Sequence, residues 1–439
     1  MFELLSPAGN LEKLKIALAY GADALYGGVS HFSLRNRSGR EFDYDSFAEG
    51  VNLTHSYGKK IYATVNGFPF NSQIQLLKSH LQKMADIGVD AFIVATPGVI
   101  RLAKQIAPHI PIHLSTQANV LNVLDAEVFY EMGVSRIIAA REISLKDLKE
   151  IKTALPQLEL EIFVHGSMCF AFSGRCLISA LQHGRVPNRG SCANDCRFDY
   201  EYLIQPPQSE EIVNAKECIH FVREPDTGVM MRLEEEEGVG THIFNAKDLS
   251  LIAHIDDIIQ SGVVDSFKIE GRTKSSYYVA ITTKAYRCAI DDSLNHCFNA
   301  ELYQQEIDTL KNRGLTDGYI VHRPFVRLDT QNHITPMSEG DFQVVAEVCE
   351  TQQHALAKFR IDKNKEYEIV SPLGFVPNLV SNDIGEITQR NGRFYLSLHK
   401  IITKESKELE SIHSGNTQPF CLPATLKAFS FLRTNIKEL

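Results

Sequence analysis

From residue 2 to about residue 320 the chain alternates short apolar runs with longer amphipathic stretches. The short runs are FELL (2–5), ALYGG (24–28), KIYATVN (60–66), AFIVAT (91–96), IHLST (112–116), RIIAA (136–140), EIFVHG (161–166) and SFKIEG (266–271). Brief, apolar and rich in β-branched and aromatic residues, they predict strands buried on both faces. Helical periodicity fills the intervals, in LEKLKIALAY, YDSFAEGVNLTHSYG, QIQLLKSHLQKMADIG, GVIRLAKQIA, VLDAEVFYEMG, SLKDLKEIKTAL, AKDLSLIAHIDDIIQSG and SSYYVAITTKAYRCAIDD. In the first, Leu11, Leu14, Ala17 and Leu18 share a face, and Gly21 sits where a left-handed helix stop belongs; Gly58, Gly88, Gly133 and Gly262 repeat the device. Eight strand–helix units in series predict an α/β fold, a closed (β/α)8 barrel of the TIM type; an open doubly wound sheet also alternates but does not need eight units.

Between the seventh and eighth strands roughly a hundred residues intervene. They carry a cysteine-bearing segment and then FDYEYLI, CIHFVRE and VMMRLEE, read as strands of a small antiparallel sheet, with the insertion placed at about 167–241. Because the insertion leaves from His165 at the end of a strand, its cysteines are expected to cap the barrel mouth, where such folds build active sites. Past residue 330 the period changes to two: DFQVVAEVCE, HALAKFRI, KEYEIVSP, RFYLSLHK and LPATLKAF predict a small C-terminal β-barrel domain over 335–439, after a barrel domain over 1–330.

At 439 residues and 44% hydrophobic composition there is material for two cores. No apolar run approaches a membrane span, and MFELLSPAGN has no leader-like pattern, so a soluble cytoplasmic protein with no membrane partner is expected. The net charge of −9 is concentrated: eleven acidic residues against Lys216, Arg223 and Arg232 between Asp199 and Gly238 give −8, leaving the rest nearly neutral. Between His165 and Arg197, Arg175, Arg185, Arg189 and Arg197 face Asp195 alone, which leaves room for a local basic site.

Four of the nine cysteines, Cys169, Cys176, Cys192 and Cys196, fall within 28 residues in the order C-x6-C-x15-C-x3-C. Thiols gathered this way in a reducing compartment read as ligands of a soft metal centre. Zinc sites favour close C-x2-4-C pairs, whereas a 4Fe–4S cluster accepts looser spacing, so the cluster is favoured, with zinc the alternative. Cys218, Cys288, Cys297, Cys349 and Cys421 stand singly and read as packing residues.

The strand ends supply the remaining candidates. His165 is read as an acid–base group, or as a histidine that hydrogen-bonds the cysteine loop. Arg35, Arg37, Arg141 and Arg272 would converge on the mouth and hold a small anionic metabolite, with Asn66 and Gln117 beside them; Arg35 and Arg37 alone would be ordinary loop ion-pair formers. Glu142 and Glu270 either orient these arginines or act as a general base. No H-E-x-x-H, G-x-S-x-G or Walker loop is present, so the common hydrolytic and nucleotide-binding machines lack support.

The run EIFVHGSMCFAFSGRCLIS (161–179), with ELLSPAG, YGADALYGG, HLSTQAN and FKIEGRTKS, resembles the collagenase-like peptidase family U32 over at least residues 2–330. SLRNR, PIHLSTQANV, GRCLIS, CANDCR, NAKDLSLIAH and KIEGRTKSSYYVA most resemble its tRNA hydroxylation branch, which acts in forming 5-hydroxyuridine at the wobble position. The resemblance implies a 4Fe–4S cluster on Cys169, Cys176, Cys192 and Cys196, tRNA as partner and prephenate as a metabolite used by the RNA branch. The family name implies the alternatives, a collagenase-like peptidase or a metal-stabilised scaffold without turnover.

Overall fold

The computed structural model describes residues 2–29, 32–33, 41–189, 191–198, 245–321, 330, 340–413, 415 and 417–436, with short backbone stretches at 203–204, 213–214, 220–223, 230–233, 235–236 and 240–241. Eight parallel strands, β1 (Glu3–Pro7), β2 (Ala24–Gly27), β3 (Lys60–Val65), β4 (Ala91–Val94), β5 (Ile112–Leu114), β6 (Arg136–Ile138), β7 (Glu159–Ser167) and β8 (Ser266–Ile269), pair in sequence order. The sheet closes because Ser266 of β8 lies opposite both Glu3 and Glu161. This is the expected (β/α)8 barrel.

Strand alternation decides what each face holds. Leu4, Leu25, Ile61, Phe92, Ile137 and Phe267 point outward into one core shared with the helices. The inward positions hold Tyr26, Tyr62, Ile93, Ile138 and Phe163, and below them a charged layer. There Arg136 meets Glu3 at 2.5 Å, Glu159 at 2.8 Å and Glu161 at 3.1 Å, while the Lys268 ammonium reaches Glu161 at 2.7 Å and the Tyr62 hydroxyl donates to Glu3 at 2.6 Å. Burying these charges is tolerable only because each has a partner. His113, packed on the Tyr62 ring at 4.6 Å, is held far below its ordinary pKa by burial and then by Arg136 and Lys268.

The helices start and stop where the local chemistry allows. Asn10 accepts a hydrogen bond from the backbone of Lys13 at the start of α1 (Leu11–Ala19), and Gly21 leaves it at φ +99°. Helices α2 (Tyr44–Ser56), α3 (Ile74–Ile87), α4 (Pro97–Ile106), α5 (Val123–Glu131) and α6 (Leu145–Ala154) follow β2 to β6, and α7 (Ile178–His183) lies in the cysteine segment. The stretch AKDLSLIAHIDDIIQSG departs from its predicted helix. Asp248–Ser250 is a strand antiparallel to β7, and α8 covers only Ile255–Ser261. The cause is Asp248, buried and ion-paired with Arg313, which ties the segment to the sheet instead of exposing it on a helix. Helix α9 (Ser276–Leu294) is buried nearly all round, since it packs on β1, α1 and α8 as well as on α10 (Ala300–Ile307). Most of the acidic segment lies outside the described residues. Within it, short antiparallel pairs join 203–204 to 213–214, 220–223 to 230–233 and 235–236 to 240–241.

The C-terminal strands form an eight-stranded antiparallel sheet in the order 380–381, 385–390, 393–398, 366–370, 431–435, 342–348, 354–357, 420–421. It curls as a half-barrel around Val345, Tyr367, Leu396, Phe420 and Leu432. LPATLKAF is not a strand, a correction to its period-two reading. Pro423 lacks an N–H to offer a ladder, Phe429 has φ +67°, and Leu422 and Leu426 plug the half-barrel from a loop. The strand comes just after, at Phe431–Asn435, and GEITQR (385–390) is a strand the alternation did not single out. The sheet is locked to the barrel by Arg433, whose guanidinium bonds Glu306, Glu368, Tyr277 and Thr309, and by the Tyr20 hydroxyl, which donates to the carbonyls of Val370 and Phe429.

Candidate active site

The C-terminal ends of the strands open into one cavity of about 1400 Å³, and the cysteine segment forms its opposite wall. Of the residues picked out from sequence, Asn66, Gln117, Arg141, Glu142, Glu270 and Arg272 line it together with Cys169, Cys176, Cys192 and Cys196. Arg35 and Arg37 lie outside the described residues. His165 does not line this cavity, which corrects its expected place at the mouth. Between Phe163, opposite Lys268, and His165, opposite Ile269, Val164 is an extra residue, and this bulge turns the imidazole to the helix side of the sheet. There it packs between the rings of Tyr278 (5.7 Å) and Tyr286 (5.6 Å), its Nδ1 3.3 Å from the Tyr286 hydroxyl, and burial pulls its pKa down to about 4.

The two mouth arginines are held differently. Arg272 donates to the hydroxyls of Ser33 (2.5 Å) and Thr64 (3.0 Å), and its guanidinium stands 6.0 Å over the Tyr26 ring. Arg141 lies 4.0 Å over Phe163. Lys268, which sequence reasoning missed, belongs to the same surface: its ammonium sits 4.4 Å over Tyr26 at the cavity floor, with burial lowering its pKa against the pull of Glu161. The available signal was a lone cation between Phe267 and Ile269 in the run SFKIEG, on an inward position. Ser33 and Thr64, which fix Arg272, carried no signal of their own.

The carboxylates are anchored to the backbone of the cysteine segment. Glu270 accepts from the Ser167 N–H at 3.1 Å, and Glu142 accepts from the Ser173 N–H at 2.9 Å. The second oxygen of Glu142 and the amide nitrogen of Gln117 are buried without a protein partner among the described residues. Two glycines permit the close approach. Gly166, at φ +121°, leaves room for Glu270, and a Cβ at Gly174, at φ +75°, would fall 2.4 Å from the carbonyl oxygen of Gln117. The cysteine loop therefore lies directly on the loop after β5.

None of the four cysteines is in a disulfide; Cys169 is exposed and the others are half-buried. Burial raises the Cys176 pKa, and Cys169 and Cys192 add to the rise, so these thiols sense one another. The Cys192 sulfur accepts from the Asn194 N–H at 3.4 Å and the Ser179 hydroxyl at 3.8 Å; Ser179 and His183 also bind the buried Asp195. Among the described residues no group of three or more His, Cys, Asp or Glu is drawn tightly enough for a single metal ion.

Comparison with known proteins places this arrangement. The description Peptidase family U32 matches residues 9–330. The chain is 62% identical over 435 residues, 99% of each chain, to the tRNA hydroxylation protein P of Helicobacter pylori. It is 39% identical over 400 residues to the Escherichia coli protein of the same name, covering 85% of this chain and 86% of that one. A 23S rRNA 5-hydroxycytidine synthase of Escherichia coli is 32% identical over 289 residues, 66% of this chain and 39% of the other. With the cysteine segment and every barrel strand after the first inside the matched region, the chain belongs to peptidase family U32.

Proposed function

We propose that this protein is a tRNA-modifying enzyme that hydroxylates wobble uridine at carbon 5, with a 4Fe–4S cluster on Cys169, Cys176, Cys192 and Cys196. The observation that carries the reading is that these four thiols and the polar strand ends line one cavity. The names of the relatives supply the class of reaction. The C-x6-C-x15-C-x3-C spacing of thiols that share a cavity wall suits a cluster, whose irons spread their ligands, better than one zinc ion, whose sites favour close cysteine pairs. When bound, such a cluster supplies electron transfer or a Lewis-acidic iron.

The chain's own residues divide the remaining work. Arg141 and Arg272 present fixed guanidinium groups to a dianionic metabolite, for which the family resemblance names prephenate. Phe163 and Tyr26 lie under the two guanidinium groups and give the floor aromatic faces beside the Lys268 ammonium. Glu142 and Glu270 stand on the side toward the cysteines, where a proton leaving a pyrimidine ring can be taken up. His165 has no part in this; its ring is shut behind the sheet.

The reading is tested by deleting the gene and measuring 5-hydroxyuridine in tRNA by mass spectrometry, with complementation by wild type and by a Cys169→Ala variant. The expected result is loss of the nucleoside, restored by wild type only. An unchanged level in the deletion strain, where no second pathway operates, sinks the proposal.

A further inference from the structure

We infer that the rim formed by Phe70, Arg185 and Arg189 is the docking platform for a single-stranded RNA loop, whose target base enters the adjacent cavity. The inference rests on the RNA-modifying function proposed above and gives it a surface. Two separate segments build the rim. One is the loop after β3, residues 66–73, and the other follows α7, residues 183–189; neither contains an acidic residue. The Phe68 N–H donates to the Asn188 carbonyl at 3.0 Å, which joins them, and the Asn188 side chain donates to the Gly174 carbonyl at 2.7 Å, which ties both to the cysteine loop.

On this joint Phe70 is 58% exposed, with the Arg189 guanidinium 4.6 Å from its ring centre. Arg185 is exposed too, its Nε fixed on the Ser191 carbonyl at 3.0 Å. The nearest acid in this segment, Asp195, is buried and bound to Ser179 and His183, so it does not cancel the arginines. Asn66, Pro187 and Asn188 line the cavity, which puts the platform at its edge.

An exposed ring beside a guanidinium plane, on two segments that carry arginines and no acidic residue, is what unstacked bases and a phosphate backbone recognise. A protein partner would want a larger apolar centre, and duplex RNA would want shape rather than a stacking ring. The cap holds the loop, the base turns inward, and the mouth residues act on it.

The test uses anaerobically purified holoprotein and a fluorescein-labelled anticodon stem–loop with unmodified uridine at the wobble position. Phe70→Ala should weaken binding about tenfold or more, as loss of one stacked base does. Arg185→Ala with Arg189→Ala should weaken it further and flatten the dependence of log Kd on log salt by roughly 0.7 per arginine. Because Arg189 also staples the cap through Phe70, Arg185→Glu serves as a second variant that leaves this stack intact. Iron content and melting temperature of every variant are measured alongside. Loss of affinity and slope at wild-type iron content and melting supports the platform. Wild-type affinity and slope in Arg185→Glu and in the double variant overturn it, while the nucleoside assay in the deletion strain reads separately whether the proposed function stands.

Discussion

Replacing Arg433 by Met should cost about 3–4 kcal/mol, most of it recoverable by removing the acids it faces. The side chain is completely buried, at 0% exposure. It donates to Glu368 at 2.7 and 2.9 Å, to Glu306 at 3.0 and 3.3 Å, and to the hydroxyls of Tyr277 at 3.0 Å and Thr309 at 3.1 Å. Met keeps the packing volume but takes two hydrogen bonds from the Glu368 carboxylate, which is only 11% exposed and is left with the partly exposed Arg393 at 2.7 Å. Removing one partner of a buried pair costs about 3–5 kcal/mol. Glu306 is 31% exposed and keeps Arg393 at 2.9 Å, so its share is small and the total falls in the lower half of that range. The triple variant Arg433→Met, Glu306→Gln, Glu368→Gln removes both acids, leaves Arg393 (31% exposed) to water and the two new amides, and should lie within about 1–2 kcal/mol of wild type. Urea unfolding of the three proteins at neutral pH, compared at equal slope, measures both numbers. A single variant that costs less than about 1 kcal/mol, or a triple variant no better than the single, would refute the idea that an uncompensated charge is what the arginine prevents.

Three further outcomes follow from the same structure. Cys176→Ser should lower iron content far more than Cys288→Ser, whose thiol is half-buried and outside the cavity; equal losses by colorimetric iron assay would undo the ligand assignment. Gly174→Ala should cost about 1–2 kcal/mol from its left-handed backbone alone, and more from the clash with Gln117, so it should melt lower and hold less iron than wild type. His165, neutral in the fold with a pKa of about 4 against 6.5 when free, takes up a proton in the unfolded chain first. Its contribution to stability is therefore complete above pH 6.5 and is lost as pH falls toward 4, by about 3 kcal/mol in all. His165→Asn should flatten that part of the stability profile, and parallel profiles would contradict the burial argument.

The barrel was legible in the sequence because its strands are buried on both faces, so apolar runs and helical stretches alternate; only AKDLSLIAHIDDIIQSG, part strand and part helix, broke the reading. The cysteine quartet was legible from spacing, and the strand-end rule brought Asn66, Gln117, Arg141, Glu142, Glu270 and Arg272 to one cavity. His165 was misplaced because a bulge of one residue reverses which side a strand position faces, and periodicity carries no trace of it. Lys268 was missed since an inward lysine looks like an interruption of a strand until its partner Glu161, over a hundred residues away in the chain, is seen beside it. In LPATLKAF, Leu422 and Leu426 alternate with polar positions as strand residues would, yet they fill a half-barrel from a loop that Pro423 keeps out of the ladder.

The ionic layer of Glu3, Arg136, Glu161 and Lys268 gives the barrel a stopper. A vessel sealed at the bottom is filled and emptied over its brim. If the proposed metabolite and RNA loop both use this cavity, the small molecule would have to be aboard before the larger one settles across the opening.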